Sequence, residues 1–370
     1  MPPVRRAVPL SRGGRETCAT MEQFFGGRKI TLYTSGTAAL TQAITECARQ
    51  RPVNMPEVIL PAYGCPDLVA ACLSAEVFPR LVDISASDWS YDLTALKDSL
   101  SGTTVAVVAV NLLGLGDDAA ALKQMCQEKG IPLIQDSAQC LPREARDWPG
   151  DYVILSFGRG KPLNLLHGGA LVLPPGRMLP AAPAPIRYTR RDRLLASRAA
   201  AIAFNVLTQR SVYGLISSLP GTGLGDVRFA PLARIERLPD VAWPRIASAF
   251  EAYLKKPSYR RALWDGAMDK WEELGIQALK GPDSVVPLEP LRLALLAPDR
   301  RARDVLVNQF NAAGLGASHF YGTDLPHVAG IPPTVRRQGP FPHAIRLADR
   351  LFTLPTHEQV TESDYSTVQY

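Results

Sequence analysis

The stretch Ile131-Pro132-Leu133-Ile134-Gln135-Asp136-Ser137-Ala138-Gln139 decides how the chain is read. A short apolar run follows Gly130 and ends on an acid, with turn-forming residues directly after it. That pattern predicts a buried strand, Ile131 to Ile134, delivering Asp136 to its carboxyl end. Working outward, Val58–Pro61, Arg80–Ile84 and Val105–Val110 read as strands too, and Tyr152–Phe157 and Gly169–Leu173 add two more. Between them, Ala38–Gln50, Pro66–Glu76 and Asp117–Lys129 carry apolar residues at helical spacing. The last of these opens on Asp117 and Asp118 and closes on Lys129-Gly130, the polarity of a capped helix. Strand alternating with helix predicts an α/β fold, a mostly parallel sheet with helices on both faces.

The 370 residues are enough for two domains with cores of their own. Hydrophobic residues at 46% and charged residues at 21% exclude a disordered or fibrous chain. No uncharged apolar run of spanning length occurs; the best candidate, Ala199–Leu219, carries Arg210 in its middle. The basic N-terminus (MPPVRRAVPLSRGG) lacks an apolar core, so no secretory signal is expected. Six scattered cysteines without a CxxC pair predict free thiols in a reducing cytoplasm and argue against zinc. A net charge of +6 suits anionic small molecules and nucleic acid equally, but no aromatics interleave with basic residues as a nucleic-acid surface would require. The basic run Arg187, Arg190, Arg191, Arg193 and Arg198 reads either as a solvated helix face or subunit contact, or as a clamp for a phosphate-bearing substrate.

The organisation predicted is a large unit over residues 1–242 and a smaller C-terminal α/β unit over 243–370. Residues 174–186 are Pro/Ala-rich and read as a linker. An apolar helical stretch follows, ending at the Pro220–Gly223 turn, and reads as a core or dimer-interface helix pair or as a membrane-touching surface. The smaller unit opens on a long helix, Arg245–Leu274, broken at Pro257. A strand (Leu291–Leu296), a helix (Arg301–Gly314) and a loop-rich tail complete it.

Ligands of an open parallel sheet sit at the carboxyl ends of its strands. Four such places carry chemistry. Ser35, Gly36 and Thr37 open the first helix with hydroxyls and helix N-terminal amides, a phosphate cradle or a plain cap. Asp136 follows a buried strand, where a carboxylate wants a cationic partner. Ser156-Phe157-Gly158-Arg159-Gly160-Lys161-Pro162 holds the one lysine between Lys129 and Lys255, in apolar surroundings that would make its amine a nucleophile toward carbonyls. Tyr63 and Cys65 stand at a fourth strand end, either covering a flat ring or packing. The absence of GxGxxG at the first strand-to-helix turn disfavours a dehydrogenase.

Together these make one set: a phosphate cradle, a carboxylate, a glutamine three residues on and a lysine 25 residues after the carboxylate. A phosphorylated pyridine aldehyde needs that set, with the lysine forming a Schiff base and the carboxylate keeping the ring nitrogen protonated. The order SGTAAL, VILPAY, RLVDI, QDSAQ, SFGRGK with HGG, and LFTLPTH resembles the DegT/DnrJ/EryC1/StrS aminotransferases. The likeness is strongest over about residues 30–175 and recurs at about 290–360. It implies fold type I, pyridoxal 5'-phosphate and transfer of an amino group from glutamate or glutamine to a keto acceptor; the same site could instead serve condensation or elimination on a non-sugar substrate, or bind the cofactor in a catalytically silent regulator. Most of that family act on nucleotide-linked keto-sugars in polysaccharide or secondary-metabolite biosynthesis.

By that resemblance Lys161 binds the cofactor covalently, Asp136 pairs with the pyridine nitrogen and Gln139 bonds the ring's phenolate oxygen. Ser35, Gly36, Thr37 and Ser156 would hold the phosphate, and Tyr63 or Cys65 would lie at the ring face. It also implies a homodimer with shared active sites. The fold's dehydratase branch carries histidine at the lysine position, so Lys161 argues against that branch. Departures are visible as well. Leu166-His167 stands where the family usually shows Gly-Glu, and His167 reads equally as a substrate contact or a packed loop residue. No Asn-Tyr-Arg segment occurs over 227–240, so Arg228 or Arg234 replaces its asparagine or the dimer contact differs. His319 and Tyr321 resemble a family segment near the substrate entrance, though His319 reads equally well as structural.

Overall fold

The computed structural model describes residues 4–8, 18–179, 192–209, 211–213, 227–238, 242–255, 262–283 and 289–366. Its larger sheet has seven strands: β1 (Ile30–Tyr33), β2 (Glu57–Pro61), β3 (Phe78–Val82), β4 (Thr104–Val110), β5 (Leu133–Asp136), β6 (Tyr152–Ser156) and β7 (Gly169–Val172). Their order across the sheet is β1-β7-β6-β5-β4-β2-β3, and only β7 runs antiparallel to its neighbours. Five helices accompany these strands: α1 (Cys18–Phe24), α2 (Gly36–Gln50), α3 (Pro66–Ser74), α4 (Leu93–Ser99) and α5 (Ala119–Glu128).

The strands are apolar on both sides because both faces are covered, the rule for parallel sheets. Every residue of β4 is buried. Alternate residues serve opposite faces: Val58 and Leu60 of β2 pack with Ala39, Leu40 and Ala43 of α2, while Ile59 packs with Leu96 of α4 and Leu122 of α5. The start of α2 is fixed by Ser35, whose extended backbone and Oγ cap the Ala38 amide at 3.0 Å. Pro66 opens α3, where a missing N–H costs nothing.

The smaller sheet is antiparallel, in the order β10 (Leu351–Pro355), β9 (Arg292–Leu296), β8 (Gln277–Ala278). Its core gathers Trp271, Phe310, Phe352 and Tyr365. Helix Trp243–Leu254 packs elsewhere, its Phe250 lying edge-on to Phe24 of α1 over β6 and β7.

Several boundaries differ from the expectation. Strand β5 begins at Leu133, since Pro132 has no N–H for the ladder, and it extends to Asp136, which pairs with Val110 and Ile154. Strand β3 lies two residues earlier than Arg80–Ile84. The tail expected to be loop-rich holds helix Pro342–Arg350 running straight into β10. The long helix expected over 245–274 appears as Trp243–Leu254 and Ala262–Glu273, with Pro257 outside the described residues. Arg187, Arg190, Arg191 and the Pro220–Gly223 turn also lie outside them, as do the side chains of Arg193 and Arg198. Among the described residues no helix is long and apolar enough to cross a membrane.

Candidate active site

The carboxyl ends of β4, β5 and β6 and the N-terminal ends of α2 and α3 open into one cleft of about 530 Å³, part of it open to solvent. Its floor is set by the sheet. Asp136, the last residue of β5, faces the cleft and accepts from the Ala138 amide at 2.9 Å. Burial raises its pKa above the usual carboxylate range, and the Lys161 charge offsets part of that rise. Lys161 lines the same cleft from the turn after β6, with its backbone amide bonded to the Gly158 carbonyl at 3.3 Å.

That turn is held from behind by the N-terminal residues. The Asn164 side chain donates to the Arg5 carbonyl at 3.0 Å, Val8 donates to the Asn164 carbonyl at 2.8 Å, and Val4 abuts Gly160. Gly160 has φ +73° and a Cβ there would stand 2.9 Å from Val4 Cγ1, so glycine is required on both counts. The sequence reading considered residues 4–8 only as a leader and missed this clamp.

Gly36, Thr37 and Ser156 form one end of the cleft, at the positive pole of α2. Their approach is close: a Cβ on Gly36 would lie 2.8 Å from Ser156 Cβ, and one on Gly169 would lie 2.5 Å from the Gly36 nitrogen. The Ser35 hydroxyl is engaged in the helix cap and does not line the cleft. Thr37 Oγ1 donates to Asp67 Oδ2 at 3.0 Å, which brings a second carboxylate into the cleft. Asp67 and Asn111 are the polar lining residues the sequence reading missed. Asp67, one residue after Pro66, carried only the signal of an acid in a helix's first turn.

Over the cleft stands Tyr321, whose hydroxyl accepts from Gln139 Nε2 at 2.7 Å. Gln139 Oε1 accepts from the Leu113 amide at 3.0 Å, so the glutamine bridges the loop after β4 to Tyr321. Phe320, at φ +59°, turns the backbone to present Tyr321, whose ring lies 5.5 Å from that of buried Tyr63. Cys65 lines the cleft at the cap of α3, its thiol pushed up to about 12 by burial. Tyr63 supports Tyr321 from outside the lining.

His167 and His319 do not line the cleft. His167 is exposed. His319 Nε2 lies 3.1 Å from Asp304 Oδ1 on helix Arg300–Ala312. Arg228 bridges in parallel to Ala329, and Arg234 is exposed, 3.9 Å from Glu236.

The geometry thus joins an amine, a half-buried carboxylate and a helix N-terminus in one cleft at the strand ends of an α/β sheet, and the stretch that builds it has known counterparts. Residues 16–180 match the DegT/DnrJ/EryC1/StrS aminotransferase family. Protein MosB of Rhizobium meliloti is 33% identical over 119 residues, 32% of this chain and 23% of its own length. The L-glutamine:2-deoxy-scyllo-inosose aminotransferase of Streptoalloteichus tenebrarius is 32% identical over 143 residues, 37% of this chain and 33% of its own. The matched stretches therefore span about a quarter to a third of these relatives. The solved structure of ntda from Bacillus subtilis with bound cofactor PMP superposes with a TM-score of 0.64 at 16% identity, covering 94% of this chain and 75% of that one. That likeness gives the fold, fold type I of the pyridoxal-phosphate-dependent transferases, and the family stretch holds the whole cleft except Tyr321.

Proposed function

We propose that the chain is a pyridoxal-phosphate-dependent aminotransferase, taking an amino group from glutamine or glutamate and passing it to a keto-sugar or keto-inositol. The nucleotide-linked keto-sugar expected from the sequence is the finer form of this reading. The observation that carries it is the shared cleft of Lys161 and Asp136 at the strand ends, with the α2 N-terminus closing one end.

The residues present fit the cofactor. Asp136 is a half-buried carboxylate whose pKa is raised by desolvation without full compensation, and a protonated ring nitrogen is the partner it lacks. Gly36 and Gly169 keep the approach to Ser156 free of side chains, as an oxyanion cradle at a helix N-terminus requires. When bound, pyridoxal phosphate supplies an aldehyde and a ring that withdraws electrons from the carbon next to the amine. The chain supplies the rest. Lys161 Nζ would hold the cofactor's aldehyde end and, with the donor in place, would move the donor's α-proton as general base and acid. Asp136 keeps the ring nitrogen protonated. Thr37, Ser156 and the first-turn amides of α2 orient the phosphate, and Tyr321 shields the cleft from water. The resemblance further suggests a homodimer, and the scattered free cysteines suit a reducing cytoplasm.

The test combines a visible spectrum with isotope transfer. Purified protein with pyridoxal phosphate should show a long-wavelength band that L-glutamine or L-glutamate bleaches, and amino-15N donor should label scyllo-inosose or a keto-sugar. Lys161→Ala should lack both the band and the transfer. A band that neither donor bleaches would overturn the aminotransferase reading and leave another reaction on the same cofactor. No band at all would overturn the cofactor assignment.

A further inference from the structure

We propose that Asp67 acts as a resident anion at the phosphate end of the cleft, weakening the chain's hold on the cofactor so that it loads and leaves readily. The proposal rests on the cofactor reading above and concerns a residue that reading does not use. Three observations support it. Asp67 lines the same cleft as Gly36, Thr37 and Ser156. Its Oδ2 already accepts the Thr37 hydroxyl at 3.0 Å, a donor the phosphate would otherwise take. Lys161 is the one basic residue among the cleft's lining, whereas Asp67 and Asp136 are both acidic.

The chemistry follows from these placements. A carboxylate offers a phosphate no donor, so the two compete for Thr37 and repel each other as like charges. Asp136 gains from a protonated ring nitrogen, so its charge is matched by the ligand; the charge of Asp67 is not. Asp67 also sits in the first turn of α3, where the helix's positive end favours it, and there it offsets a potential that would otherwise draw an anion. Two helix N-termini thus meet at the cradle, one left open to an anion and one occupied by the chain's own carboxylate.

The consequence is specific to the phosphate. Replacing Asp67 with Asn keeps an acceptor for Thr37 and removes the charge. Binding is read by absorbance and fluorescence titration of the apo protein with pyridoxal phosphate and, separately, with pyridoxal, which lacks the phosphate. Asp67→Asn should lower the dissociation constant for pyridoxal phosphate about three- to fivefold, as expected for removing an exposed, solvent-screened like charge. Pyridoxal should bind the two proteins within about twofold of each other. Asp67→Glu, which keeps the charge, should stay near the wild type, and a thermal melt establishes that each variant is folded.

Equal pyridoxal phosphate affinities in wild type and Asp67→Asn would overturn the proposal while leaving the cofactor reading intact. An equal gain for pyridoxal would overturn it too, because the effect would then not concern the phosphate. If neither protein binds either compound in a Lys161-dependent way, the cofactor reading fails and the proposal with it.

Discussion

The floor of the cleft and its roof are made from different kinds of backbone. On the floor, Asp136 and Ser156 end strands β5 and β6, and Gly36 begins a capped helix, so each position is fixed by ladder bonds or by a cap. The roof is Tyr321, on the loop that follows helix Arg300–Ala312, seated by the left-handed Phe320, by ring contacts and by one bond from Gln139. The floor holds the groups that would do chemistry, and the roof lies over them. Changes to the floor should therefore act on rate, or on the sheet itself, and changes to the roof on affinity.

The largest expected effect breaks the floor chemically while sparing its structure. Asp136→Asn should lower the transamination rate at least about a hundredfold, since a preorganised charge at the reacting ring is lost. Its melting temperature should match or exceed that of the wild type, because Asn keeps the bond from Ala138 and escapes the burial that raises the Asp136 pKa. A parallel fall in stability would show that Asp136 holds the fold together.

Gly36→Ala tests the floor's geometry. The new Cβ meets Ser156 Cβ at 2.8 Å, so β6 and α2 must separate, at a cost of about 1–3 kcal/mol in chemical denaturation. Unchanged stability would mean that this joint has room to give.

Asp117 sharpens the contrast from behind the floor. It is buried, its Oδ1 has no hydrogen-bond partner among the described residues, and burial pushes its carboxyl up to about 8. With an unfolded pKa near 4, the unfolded chain releases the proton first as pH rises. Stability is therefore lost between about pH 4 and 8 and levels off above that. The stability advantage of Asp117→Asn should widen over that window and then stay constant; an advantage independent of pH would contradict the assignment.

The smallest effect belongs to the roof. Tyr321→Phe removes the acceptor of the Gln139 bond, worth about 1 kcal/mol, and should appear as a several-fold change in KM with kcat nearly kept. A large fall in kcat would move Tyr321 from the roof to the chemistry.

The floor was legible in the sequence because a short apolar run ending on an acid leaves few other readings. The antiparallel sense of β7 was not, since strand direction is set by distant partners and leaves no local mark. β1, at four residues, is too short for periodicity to separate from its surroundings. The roof was half legible: Tyr321 could be singled out, but the left-handed turn that presents it falls on Phe320, where no glycine announces it. Gln139 was read as a cofactor contact, and its bonds to Leu113 and Tyr321 span distances that no spacing encodes. Asp67 resembled an ordinary first-turn acid because its partner, Thr37, lies thirty residues away.

The crowding at Gly36, Ser156 and Gly169 has a practical consequence for anyone wishing to redirect this protein. Because β7 presses against the start of α2 with no space for even a methyl group, the corner proposed to hold the phosphate is also where the sheet's antiparallel strand is locked in place. Randomising residues there would generate unfolded clones rather than new specificities. A productive library would leave 33–37, 156 and 168–169 untouched and diversify 319–323, sparing Ser318, which bridges Thr353 of β10, and the buried Asp324.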